Sequence, residues 1–130
     1  MENIHVPVSP GEVLDKITIL EIKSERMTEP EKVANVRAEL ALLKETWSQA
    51  VTEDDVIRDL HGQLKQINEA LWEIEDDIRD KERVKEFDQR FIDLARSVYF
   101  TNDRRSEVKK KLNLHLGSQI IEEKSYQDYD

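Results

Sequence analysis

A run of apolar residues spaced alternately four and three apart constrains this chain more than any other feature of its sequence. The run lies in a predicted helix over about residues 53–82. It comprises Leu60, Leu64, Ile67, Leu71, Ile74 and Ile78. This heptad-like spacing places every member on one side of an α-helix, where it forms a coiled-coil-like seam. A seam of this length requires another helix alongside it, and it therefore predicts a helical hairpin or bundle.

Start signals predict the remaining helices. Ser9 precedes Pro10 and stands three residues before Glu12, which is the arrangement of an N-cap with a capping box. Thr52 and Asp88 occupy similar positions ahead of apolar-periodic stretches, so we expect each to cap a helix. Together with the periodicity, these signals predict helices over about residues 10–26, 30–48, 53–82 and 89–116.

The lengths of the connections and the distribution of apolar residues predict how these helices pack. Only a short charged link, around residues 84–87, joins the third helix to the fourth, so the two should be antiparallel neighbours. Apolar residues cover most of the circumference of the first helix, which predicts a central position for it. The predicted fold class is therefore all-α: a four-helix bundle dominated by a long antiparallel α-hairpin.

The two ends of the chain carry different signals. The apolar residues Ile4, Val6 and Val8 occupy every second position, as in a short strand. The tail, residues 117–130, contains two isoleucines and two tyrosines, and we expect part of it to dock on the bundle. We therefore predict short extended N- and C-terminal segments on a single domain that spans residues 1–130.

Composition excludes several classes of protein. A formal net charge of −9 disfavours binding to DNA or RNA, because a phosphate backbone would be repelled. The chain has no cysteine, so disulfides, thiolate zinc sites and cysteine nucleophiles are excluded. Its three histidines share no metal-ligand spacing, and neither a signal peptide nor a membrane-spanning apolar run is visible. We expect a soluble cytoplasmic protein without metal or cofactor that binds neither nucleic acid nor membrane.

Two polar residues interrupt the apolar stripe of the fourth helix. Asn102 and Arg105 stand three residues apart on the face that the periodicity assigns to the core. A buried charge is costly unless it is paired, so we expect acidic partners nearby. Glu21 and Glu75 flank the apolar stripes of the first and third helices and are the predicted partners of Arg105. Such a cluster is either an ion pair that fixes helix register or a pocket for a small anion or metabolite.

A second polar stripe lies beside the seam of the third helix. Trp72, Glu75 and Arg79 follow Asn68 at steps of four, three and four, and so share one face. A tryptophan among hydrogen-bonding groups suits a partner surface or a platform on which a ring stacks. More often, a tryptophan in this position covers the core against the neighbouring helix.

Several segments of the sequence carry a family resemblance. They are Val8–Lys23, Leu71–Arg79, Leu94–Tyr99, Asn102–Arg105, Gly117–Ser118 and Glu123–Tyr126. On these segments the chain resembles a domain family of unknown function from bacteria and large DNA viruses. The resemblance implies a small helical domain, sometimes encoded near glycosyltransferase or surface-polysaccharide genes. It also directs attention to Asp15 and Lys16 on the first helix and to Tyr126 in the tail.

Two functional expectations follow. The first is a non-enzymatic binding or assembly module with a protein partner or a second copy of itself, since the helical scaffold carries no recognisable catalytic set. The second is a protein that binds, or an enzyme that acts on, a phosphorylated or sugar-like small molecule. The candidate ligand-binding residues are Glu21, Glu75, Asn102, Arg105, Asp15, Lys16, Trp72, Arg79 and Tyr126.

Overall fold

The computed structural model describes residues 1–129, and within them the regular structure is entirely α-helical. Its helices are α1 (Pro10–Arg26), α2 (Pro30–Ala50), α3 (Asp55–Arg83) and α4 (Gln89–His115). The prediction of an all-α bundle is confirmed. None of the helices in this part of the chain is long and apolar enough to cross a membrane.

Side-chain caps define where three of the helices begin. The Ser9 hydroxyl accepts a hydrogen bond from the backbone of Glu12, and the Asp88 carboxylate accepts one from Phe91. At α3 the cap is Asp54 and not Thr52, so the helix begins later than predicted. A carboxylate next to the positive end of the helix dipole is favoured over a neutral hydroxyl, which accounts for the difference.

The long hairpin consists of α3 and α4, which pack side by side along their length. With 29 and 27 residues, each helix extends about 40 Å at the usual rise per residue. The turn between them contains Lys85 in a left-handed conformation, with φ at 57°. Lys81 closes the turn by pairing with Glu86 and Asp88, both at 2.9 Å.

Helix α1 is the central element, as its apolar circumference predicts. It packs against each of the other helices, whereas the backbone of α2 approaches only α1. The core between them contains Leu14, Ile17, Trp47, Ile57, Leu60, Leu64, Val108 and Leu112. Because α1 is much shorter than the hairpin, it covers only part of the groove between α3 and α4.

Gly11 allows the start of α1 to approach α4 closely. Its backbone N–H donates a hydrogen bond of 2.7 Å to the side-chain oxygen of Asn113, which is itself buried. A Cβ atom at this position would lie 2.9 Å from that oxygen and 2.9 Å from the carbonyl of Lys109. The contact between the two helices therefore depends on the absence of a side chain.

The predicted N-terminal strand is wrong. Residues 1–8 adopt no regular structure, and Ile4, Val6 and Val8 are exposed. A strand needs the backbone of a second strand beside it, and within residues 1–129 every neighbouring element is a helix whose backbone groups bond internally.

The tail after α4 lies beside that helix without forming a helix or strand. Lys124 and Tyr129 both contact the carboxylate of Asp103, at 3.2 and 2.6 Å. The ring of Tyr129 also packs against those of Tyr99 and Phe100. Residue 130, the last of the segment predicted to dock, lies outside the described residues.

Replacing Gly11 by alanine should destabilise the fold by about 1–3 kcal/mol, because the new methyl group overlaps backbone as well as side-chain atoms of α4. The matched control is Gly62→Ala on α3, where a Cβ meets nothing within 4 Å. That change should stabilise the helix by about 0.5–1 kcal/mol. Urea unfolding of both variants measures the difference, and a Gly11→Ala protein as stable as the wild type would contradict the packing described.

Candidate functional site

Arg105 on α4 holds the carboxylate of Asp15 on α1. The guanidinium Nε donates to Oδ1 at 2.8 Å, and a terminal nitrogen pairs with the other carboxylate oxygen. This two-point geometry is the strongest form of an arginine–carboxylate pair. Asp15 is only 4% exposed, whereas Arg105 is half-buried and reaches the surface. The pair therefore joins a buried anion to a cation with an open side.

Asn68 on α3 completes the coordination of Asp15. Its side-chain nitrogen donates to the carboxylate and to the hydroxyl of Thr18, each at 2.9 Å. Thr18 in turn donates to the backbone carbonyl of Asp15 at 2.7 Å. Asn68 and Thr18 are both buried. The network therefore connects α1, α3 and α4 through polar groups that are mutually satisfied, as buried polar groups must be.

The predicted pairing of Arg105 with Glu21 and Glu75 is wrong. Glu21 lies 2.7 Å from the Nε2 atom of His61, while Glu75 pairs with Arg79 one turn away on its own helix. Glu21 stands six residues after Asp15, which rotates it by about 240° around α1 and turns it away from α4. The shorter aspartate, one turn into α1, is the carboxylate that faces Arg105.

Further ion pairs line α4 on the side of the tail. Lys109 is buried and pairs with Glu12 on α1 and with Glu122 in the tail. Burial alone would lower the pKa of Lys109, but the hydrogen bonds to the two glutamates raise it. Hydrogen bonds from Tyr129 and Lys124 likewise lower the pKa of Asp103.

Two open clefts meet at Asn102 and Arg105. The larger cleft, here called the tail cleft, has a volume of about 1070 Å³ and lies between α4 and the tail. Its lining includes Val98, Tyr99, Asn102, Arg105, Lys109, Tyr126 and Tyr129. The smaller, the Trp72 cleft, has a volume of about 430 Å³ and lies beside α1 and α3; its lining includes Ile22, Asn68, Trp72, Glu75, Arg79, Asn102 and Arg105. Both Asn102 and Arg105 are thus accessible from two sides.

The structure brings most of the predicted site residues together. Asn102 and Arg105 line both clefts, Trp72, Glu75 and Arg79 line the smaller one, and Tyr126 lines the larger one. Asp15 lies buried behind them. Glu21 lies elsewhere, and Lys16 is exposed and pairs with Glu39 on α2 at 2.9 Å.

Several residues of the site are absent from the predicted set, among them Thr18, Lys109 and Glu122. Thr18 and Lys109 occur at positions that the helical pattern assigns to buried faces, and this conflict was the available signal for both. Glu122 gave no such signal, because its role depends on where an irregular tail lies.

The pKa shifts of three charged groups at the site favour their ionised forms. The hydrogen bonds to Asp15 raise the pKa of Arg105, against the effect of its burial. The pKa of Lys109 is also raised and that of Asp103 is lowered. These three groups are therefore suited to forming ion pairs and hydrogen bonds in their charged forms.

Asp15→Asn should lower the free energy of unfolding by about 2–4 kcal/mol, because it leaves Arg105 without its buried counter-charge. The control is Glu75→Gln, which breaks the exposed pair with Arg79 and should cost less than about 0.5 kcal/mol. Chemical denaturation of the two variants compares them directly. Equal effects would mean that the Asp15 pair does not hold the helices together.

The Glu21–His61 contact predicts a dependence on pH. Burial raises the pKa of Glu21, but hydrogen bonding and attraction to His61, with Lys44 and Lys65 nearby, lower it overall below the usual 4.5. A carboxylate whose pKa is lowered by folding stabilises the protein above its unfolded pKa and loses that contribution as the pH falls. The stability difference between wild type and Glu21→Gln should therefore shrink between pH 5 and pH 3 in urea titrations. A difference that stays constant over this range would contradict the prediction.

Comparison with known proteins places the chain in a family. Residues 4–129 match the family model described as "Family of unknown function (DUF6165)". The chain matches no curated protein and no solved structure. The family match extends over α1 to α4 and over the tail residues that line the larger cleft. The chain therefore belongs to DUF6165, a family of unknown function.

Proposed function

We propose that this chain is a non-enzymatic binding module that holds a sugar-like ligand against Asn102 and Arg105. The observation that carries the proposal is the meeting of two open clefts at these two side chains, of which Arg105 is held in place by the buried carboxylate of Asp15. Ligand pockets typically combine an apolar or aromatic lining with a few fixed polar groups. A site that is already ordered loses less conformational entropy on binding.

The charge distribution of the tail cleft favours a neutral ligand over an anion. Each lysine and arginine on its wall already has a carboxylate partner: Asp15 for Arg105, Glu12 and Glu122 for Lys109, and Asp103 for Lys124. A phosphate would have to compete with these carboxylates and would be repelled by them. A neutral polyol instead can donate to carboxylates and accept from amide and guanidinium groups without separating the pairs.

Aromatic side chains supply the apolar part of the site. The ring of Tyr126 is 84% exposed on the wall of the tail cleft, and Trp72 lines the second cleft on the other side of Asn102. An aromatic ring with a polar edge contacts the apolar face of a ligand while its polar edge remains hydrated. A sugar ring offers both an apolar C–H face and hydroxyl groups at its edge. It therefore matches the pairing of aromatic rings with amide and charged groups in these clefts.

The directions of the pKa shifts agree with a binding role for three charged groups at the site. The shifts of Arg105, Lys109 and Asp103 all move the titration of these groups away from neutral pH. A sugar-like ligand also agrees with the link to polysaccharide or glycosyltransferase systems that the family resemblance implies. That link is part of the proposal.

A phosphorylated ligand, such as a nucleotide sugar, is the second candidate, and an enzyme acting on it would use the same cluster. One observation favours it. Within residues 1–129, the remaining terminal nitrogen of Arg105 makes a single long hydrogen bond of 3.4 Å, to the side-chain oxygen of Asn102. That nitrogen can therefore donate to an anion without breaking the Asp15 pair.

Calorimetric titration should distinguish the two candidates. The probes are neutral oligosaccharides of glucose, galactose, mannose and N-acetylglucosamine, a uridine diphosphate sugar, and inorganic phosphate. Asn102→Ala and Tyr126→Ala should each weaken the binding of a neutral oligosaccharide about tenfold or more, equivalent to about 1.4 kcal/mol. The control is Phe87→Ala, an exposed aromatic residue in the hairpin turn that lines neither cleft.

Each outcome decides between the candidates. Tight binding of the nucleotide sugar or phosphate, with no neutral sugar bound, would replace the proposal by the second candidate. Binding that is unaffected by Asn102→Ala and Tyr126→Ala would place the site elsewhere. Heat signals indistinguishable from buffer for every probe at millimolar concentration would overturn both.

A further inference from the structure

Among the described residues, 1–129, no third helix packs along the far end of the α3–α4 hairpin. Helix α1 ends at Arg26, whose guanidinium pairs with Glu73 on α3. Beyond that point α3 continues to Arg83, and α4 returns from Gln89. We call residues 74–101 the hairpin tip. Helix α1 reaches only the near edge of the hairpin tip, where it shares the wall of the Trp72 cleft with Glu75 and Arg79, and the backbone of α2 approaches only α1.

The hairpin tip leaves apolar side chains incompletely buried. Within it, Leu94 is the one large apolar residue that reaches full burial, at 4% exposed. Phe91 and Val98 are half-buried, while Phe87 and Ile92 are exposed. Scattered exposed apolar residues are ordinary, but a contiguous group of them on one surface indicates an interaction site.

The apolar residues on α4 form such a group. Ile92, Ala95 and Tyr99 follow one another at steps of three and four, so they share one face of the helix. Phe91 and Val98 stand seven residues apart and lie immediately beside that face. Together these five residues form a stripe, here called the tip stripe. It continues along α4 from the end of the tail cleft, where Val98 and Tyr99 also belong to the cleft wall.

Charge indicates what covers the tip stripe. The formal net charge of −9 makes unselective contact between two copies repulsive. The hairpin tip itself is polarised, however: its part of α3 (residues 74–83) carries five acidic and three basic side chains, and its part of α4 (residues 89–101) carries one acidic and two basic ones. Contact between α3 of one copy and α4 of another is therefore attractive. A two-fold axis makes that contact twice.

We propose that two copies of this chain associate through their hairpin tips, antiparallel and about a two-fold axis, so that α3 of each copy packs beside α4 of the other. Two helices from each copy then form a four-helix bundle that covers the tip stripe. An isologous contact of this kind closes on itself and yields a dimer and not a filament. The dimer interface borders the proposed ligand site, because Val98 and Tyr99 belong to both surfaces. Asn102, Arg105 and Tyr126, which carry the proposed ligand contacts, lie outside the hairpin tip, so the two proposals can be tested separately.

Sedimentation equilibrium across a wide range of protein concentration tests the proposal. The wild-type chain should show a mass that rises to twice that of the monomer. Ile92→Glu places a charge on the tip stripe and should weaken the dimer at least tenfold. Leu42→Glu is the matched control, because Leu42 on α2 is 47% exposed and Ile92 is 46% exposed. It should dimerise like the wild type, and circular dichroism should report the same helix content for all three.

An introduced thiol provides a second, independent measurement. The chain has no cysteine, so a single replacement is the only reactive sulfur. Ala95→Cys, in the middle of the tip stripe, should form a disulfide-linked dimer under mild oxidation much faster than Ala41→Cys, an exposed position on α2. Equal rates at the two positions, a wild-type chain that stays monomeric, or an Ile92→Glu dimer as tight as the wild type would each overturn the proposal. Tyr126→Ala should leave dimerisation unchanged, which separates this test from that of ligand binding.

Discussion

The carboxylate of Asp15 is almost completely buried, and the arrangement of α1 against the hairpin depends on how that charge is satisfied. Removing an ionised group from water costs several kcal/mol unless opposite charge and hydrogen-bond donors replace the water. Arg105 supplies the charge and Asn68 supplies a further donor. These partners belong to two different helices. Sliding α1 by one turn would leave the carboxylate unpaired, so a single buried group fixes the register of three helices.

The contact between α1 and α4 is polar at every turn near this pair. Asn113, Lys109 and Arg105 stand four residues apart on α4, and they bond in that order to Gly11, Glu12 and Asp15. Adjacent on α4, Val108 and Leu112 face the apolar core. The helix thus presents an apolar stripe beside a polar one. The apolar stripe stabilises the contact between the two helices but tolerates small shifts between them. The polar stripe specifies one alignment of the helices, because hydrogen bonds tolerate little displacement.

The sequence predicted the helices well because each signal was local. The alternating spacing from Leu60 to Ile78 and caps such as Ser9 require only neighbouring residues to interpret. The position of Arg105 on a buried stripe was also local, and it correctly indicated that an acidic partner was needed. The identity of that partner was not local: it depends on how α1 is rotated and where it crosses α4, and for this reason the sequence pointed to Glu21 where the structure has Asp15. The failed strand at Ile4 has the same cause, since alternation describes one segment but not whether a second strand lies beside it.

A structural ion pair and a binding site appear as alternatives in the sequence, but the geometry makes them compatible. Asp15 engages one edge of the Arg105 guanidinium from the buried side, while the remaining edge faces Asn102 and two open clefts. Folding therefore already requires Arg105 to be held in one conformation. The Arg105 side chain therefore loses its conformational entropy when the protein folds. A ligand that contacts its open edge does not have to order this side chain again, so the entropic cost of binding is lower. By the same reasoning, a substitution at Asp15 alters both properties together, whereas one at Asn102 or Tyr126 reaches the clefts without breaking the buried pair.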